Sequence, residues 1–62
     1  MDYEIKCQKI ISFFNLRNKQ LGKSKYNSDA FESMLEYYEA TGDFSGNQER
    51  AIDNTINGFK IK

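Results

Sequence analysis

Apolar residues fall in three runs whose steps are mostly three or four residues, and this spacing constrains the chain more than any other feature. The first run is Tyr3, Cys7, Ile10, Ile11, Phe14 and Leu21; the second is Phe31, Met34, Leu35 and Tyr38; the third is Ala51, Ile52, Thr55, Ile56 and Phe59. An α-helix brings residues three and four apart onto one side, so each run reads as the buried stripe of a helix. No proline interrupts them. Gly22, Gly42 and the pair Asn57-Gly58 stand at the ends of the runs, and glycine accepts the left-handed conformation in which many helices stop. The predicted fold class is all-α, a compact three-helix bundle that makes residues 1–62 a single small helical domain.

Residues 3–7 admit a second reading. Tyr3, Ile5 and Cys7 alternate with Glu4, Lys6 and Gln8, and Phe59 and Ile61 alternate with Lys60 and Lys62. That is the period of a half-buried strand, so the alternative is a short terminal β-ribbon pairing residues 3–7 with 58–62. The later helix starts carry local signals of their own. Asn27, Ser28 or Asp29 can each cap the second helix; with Asn27 as the cap, Tyr26 and Phe31 are placed as a hydrophobic staple, and Ser45-Gly46-Asn47-Gln48 matches a capping box. Phe44 is the expected buried anchor between the second and third helices.

A chain of 62 residues has a core worth only ~3–5 kcal/mol, and small domains add staples to it. Cys7 is the one cysteine and there is no histidine, which excludes an internal disulfide and an ordinary zinc site. Oligomerisation or an obligate protein partner is left as the additional support, and a homodimer is one form of it. The start MDYEIKCQK lacks a basic segment followed by an apolar one, and Ile10-Ile11-Ser12-Phe13-Phe14 is too short to span a bilayer. The expectation is a cytoplasmic protein, in the host cytoplasm if phage-encoded, with no membrane partner.

Nine basic and nine acidic residues cancel over the whole chain but not along it. Residues 1–27 carry a net +4, residues 28–53 a net −6 and residues 54–62 a net +2. One consequence is internal: the basic first helix and the acidic second can pack together through salt bridges. The others are external. Glu32, Glu36 and Glu39, with Tyr37 and Asp43, are the candidate contact face for a protein partner. Arg17, Lys19, Lys23 and Lys25 are the alternative, a basic region for nucleic acid, with Tyr26 to stack on an unpaired base and Lys60 and Lys62 in support.

Catalytic chemistry finds no foothold. Cys7 lies on the apolar stripe with no histidine to draw off its proton, so it is expected in the core. Glu32, Glu36 and Glu39 have the spacing of a solvated face rather than of a paired acid and base. No glycine-rich loop leads into a Lys-Ser or Lys-Thr pair that would cradle phosphate. A DNA-binding helix-turn-helix over residues 28–58 could read bases with Gln48, Arg50 and Asn54, but Glu49, Asp53 and the glutamates before them repel a phosphate backbone. No catalytic residue, metal ligand or cofactor is expected.

The segment Phe31-x-Ser33-Met34-Leu35-x-x-Tyr38-x-x-x-Gly42-x-Phe44-Ser45-x-x-Gln48-x-x-Ala51-Ile52 covers about a third of the chain. It resembles a helix-turn-helix signature, Phe-x-Ser-Leu-x-x-x-Tyr-x-x-x-Gly-x-Leu-Ser-x-x-Gln-x-x-Ala-Leu, of small bacteriophage-encoded accessory proteins. Met34 and Phe44 stand where leucine is more usual, and both keep the position apolar. The resemblance implies phage origin and a structural or docking unit. The resulting expectation is a non-enzymatic phage accessory protein that binds and modulates a host or phage protein, for example by inhibiting a defence or nucleic-acid enzyme. Its alternatives are a small nucleic-acid-binding protein and a structural oligomer subunit.

Overall fold

A computed structural model describes residues 2–61 and contains three helices. These are α1 (Tyr3–Leu21), α2 (Asp29–Thr41) and α3 (Gly46–Phe59). The all-α three-helix bundle is the fold. The ribbon alternative is incorrect, because residues 3–7 lie in the first turns of α1 and residues 58–59 in the last turn of α3. Its last position, Lys62, lies outside the described residues. Asp2 explains the helical outcome at the N-terminus, since its carboxylate accepts from the Glu4 N–H at 3.2 Å and caps α1 where a strand would have needed a partner.

α1 is the axis of the bundle. α2 runs back along it, with Phe31 against Cys7 and Phe14, and α3 returns in the direction of α1, with Asp53 near Tyr3 and Phe59 against Phe13 and Phe14. α2 and α3 both pack on α1 and only weakly on each other. The core consists of Cys7, Ile10 and Phe14 from α1, Phe31 from α2, Phe44 from the connection and Ile52 from α3. Ile10 and Ile52 are fully buried, and burying an isoleucine side chain is worth about 1.5–3 kcal/mol. Cys7 is the core residue its position predicts. Its thiol donates to the Phe31 carbonyl at 3.2 Å, and burial pushes its pKa up to about 11.

The helix ends follow the expected chemistry with two differences. Gly22 and Gly42 take the left-handed conformation at φ 70° and 82°. Ser45 accepts from the Gln48 N–H at 3.2 Å while the Gln48 side chain accepts from the Ser45 N–H at 2.9 Å, the complete capping box. At the start of α2 the capping position falls on Ser28, one of the three candidates, while the side-chain bond is made by Asn27, which accepts from the Asp29 N–H at 2.8 Å. The expected staple is indirect, because Tyr26 and Phe31 each pack on Phe14. At the end of α3, Gly58 is not the stop. The helix continues through Phe59, whose ring packs on Phe13, Phe14 and Tyr26, and Lys60 takes the left-handed conformation at φ 54°. The aromatic contacts of Phe59 outweigh the local preference for stopping at glycine.

Candidate functional surface

α2 turns Phe31, Met34, Leu35 and Tyr38 inward, and that side fixes what its outer face presents. Glu32, Glu36 and Glu39 are all exposed along one edge. Tyr37, 47% exposed, follows Glu36 by about 100° around the helix and forms the other edge. Between the edges lie the small exposed residues Ser33 and Ala40. Asp43 belongs elsewhere. It sits in the turn after α2, where its carboxylate accepts from the Phe44 N–H at 2.9 Å and its carbonyl lies 3.0 Å from the Thr41 hydroxyl. Its carboxylate bond shapes the turn that delivers Phe44 to the core, while Glu32, Glu36, Tyr37 and Glu39 share the outer side of the helix.

The internal use of the charge asymmetry is corrected by the structure. Among the described residues one ion pair forms, Lys6 to Asp53 at 2.9 Å, and it joins α1 to α3, not α1 to α2. The reason is geometric: the α1–α2 seam is filled by apolar side chains and the α2 glutamates point away from it. The Tyr3 hydroxyl donates to the other Asp53 oxygen at 2.8 Å, and the Lys6 ammonium sits 4.7 Å from the Tyr3 ring centre. These contacts hold the Asp53 carboxyl below the usual range and raise Lys6 and Tyr3.

Arg17, Lys19, Lys23 and Lys25 are exposed near the end of α1 and in the linker after it. Arg17 lies over the Phe13 ring at 5.2 Å and Lys25 over the Tyr26 ring at 5.6 Å. Tyr26 does not have the free ring that base stacking needs. It stacks on Phe14 at 5.5 Å, meets Phe59 edge-on, and is pinned through its backbone by the Asn18 side chain, whose amide donates to the Tyr26 carbonyl at 2.7 Å and accepts from its N–H at 2.8 Å. Lys60 is exposed, and Lys62 lies outside the described residues.

Sequence periodicity missed a second surface. The outer side of α1 and the tail after α3 enclose an open groove of about 590 Å³, with Ile5, Phe13, Leu16 and Ile61 among its walls. Ile5 and Leu16 are 45% and 54% exposed. The signal was present as the steps from Ile5 to Lys9, Ser12 and Leu16, which the stronger inner stripe masked. Among the described residues no three His, Cys, Asp or Glu side chains are placed to hold a metal ion, and no helix is long and apolar enough to cross a membrane.

No protein-family model matches the chain, and searches of curated proteins and of solved structures return no significant match.

Proposed function

We propose that this chain is a non-catalytic accessory protein that acts by binding another protein, with Glu32, Glu36, Tyr37 and Glu39 on the outer face of α2 as the contact. The observation that supports this reading is that the one ion pair among the described residues leaves α2 out, and the α2 glutamates are directed at solvent. A partner with a basic patch is attracted and oriented by it, and Tyr37 adds an aromatic anchor beside residues small enough for close approach. The resemblance of residues 31–52 to phage accessory proteins fits a factor that modulates a host or phage enzyme.

The test is affinity capture from host lysate with the wild-type chain and with Glu32→Lys, Glu36→Lys and Glu39→Lys combined, each with and without nuclease. A stoichiometric partner that survives nuclease and is lost in the triple variant, with helicity by circular dichroism unchanged, is the expected result. Equal capture by both proteins removes α2 from the contact. Recovery that depends on nucleic acid favours the alternative reading, for which the observation is the exposed Lys19, Lys23 and Lys25, and its binding then weakens steeply with salt. Tyr26 plays no stacking part in that alternative.

A further inference from the structure

We propose that the outer face of α1 is self-complementary and docks a second copy of this chain with the two α1 helices antiparallel. Ile5, Lys9, Ser12 and Leu16 step by four, three and four residues along this face, so the stripe reads the same from either end. A two-fold axis passing between residues 10 and 11 lays Ile5 of one copy on Leu16 of the other and sets Lys9 opposite Ser12 of the second copy. Each contact then occurs twice, as an isologous interface requires. The end layers are apolar, and the inner layers pair a lysine with a hydroxyl instead of with another lysine.

Charge selects the orientation. α1 is acidic at its start, with Asp2 and Glu4, and basic towards its end, with Arg17, Lys19 and, just beyond it, Lys23. Antiparallel packing brings the acidic end of each copy to the basic end of the other and opposes the two helix dipoles. A parallel pair sets Lys9 on Lys9 and basic end on basic end, and a polar residue in such a seam is a known device for choosing register and orientation. The groove walls Phe13 and Ile61 lie beside the stripe and extend the apolar area it covers. α2 lies on the other side of α1, so its acidic face stays open in the dimer and the proposal stands independently of the partner for that face.

The test is sedimentation equilibrium of the full chain up to about 1 mM, because an interface of about three helical turns lies at the weak end of specific contacts. A monomer–dimer equilibrium is expected, with Leu16→Asp and Ile5→Asp each weakening it at least about tenfold while helicity is retained. Under oxidation an equimolar mixture of the single variants Lys9→Cys and Ser12→Cys should form the mixed covalent dimer, and Ser12→Cys alone should not; Cys7 is buried and does not compete. A wild-type chain that stays monomeric throughout, dimerisation indifferent to both aspartate variants, or cross-linking as efficient in Ser12→Cys alone overturns the proposal.

Discussion

The inner stripe of α1, Tyr3, Cys7, Ile10 and Phe14, and its outer stripe, Ile5, Lys9, Ser12 and Leu16, step along one helix by the same four, three and four residues, yet Ile10 is wholly buried and Leu16 is 54% exposed. The spacing defines a face in each case. What differs is the cover, which the inner stripe receives from Phe31, Phe44 and Ile52 on later parts of the chain. Among the described residues the outer stripe has only the tail residues Lys60 and Ile61 of the later elements beside it. Helical periodicity therefore shows where a helix can bury surface, and the remaining elements decide whether it does so within one chain.

The largest expected effect comes from cutting each stripe at a matched position. Phe14 contacts the rings of Phe13, Tyr26, Phe31 and Phe59, and Phe14→Ala should cost about 3–5 kcal/mol. That is comparable to the whole stability of a domain this small, ~3–5 kcal/mol, so the variant should lack a cooperative urea transition by circular dichroism. Leu16→Ala, measured at a concentration where the chain is monomeric, should change stability by no more than about 0.5 kcal/mol. Similar losses at both positions would mean that the two stripes are covered alike, contrary to the packing described above.

A smaller effect tests the cover itself. α3 brings Ile52 onto α1, and its start depends on the reciprocal bonds between Ser45 and Gln48. Ser45→Ala should lower stability by about 1 kcal/mol, read as a lower urea midpoint with an unchanged slope. Ser28→Ala should have a clearly smaller effect, because Ser28 occupies the capping position of α2 without making a side-chain capping bond. Equal losses would place the true α2 cap on Ser28 and displace Asn27 from that role.

Most of the fold could be read from residue spacing because its determinants are local: glycine at two helix ends, a capping box, and apolar steps of three and four. The places where the reading failed depend on contacts distant in sequence. Gly58 carries a local stop signal, but Phe59 is drawn into an aromatic cluster with Phe13, Phe14 and Tyr26, and the turn moves to Lys60. Tyr26 stands among lysines and was readable both as a staple and as a stacking ring, and nothing nearby announced that Asn18 would clamp its backbone. Charge runs predicted a salt-bridged α1–α2 seam, whereas the one pair among the described residues forms across 47 positions between Lys6 and Asp53. The exposure of the α2 glutamates and Tyr37 was readable from the opposite apolar stripe, and the place of Asp43 in the turn from Gly42 beside it.

The smallest effect concerns the polar end of the inner stripe, where Tyr3 leaves the core and meets Asp53. The Lys6 ammonium and the Tyr3 hydroxyl lower the carboxyl pKa of Asp53 in the folded state. Its contribution is therefore fully present above the unfolded carboxylate value of about 3.9 and disappears as pH falls through the lower folded value. Lys6 is raised by the same contact, so its contribution persists through neutral pH and is lost only as pH rises through its folded value in the alkaline range. Thermal melts of the wild type and Asp53→Asn should thus differ most near neutral pH and converge as the carboxylate protonates. The difference is expected to be small because the pair is partly exposed, 22% for Lys6 and 39% for Asp53. A melting difference that stays constant down to pH values well below the carboxylate range would mean that Asp53 supports the end of the stripe by packing instead of by charge.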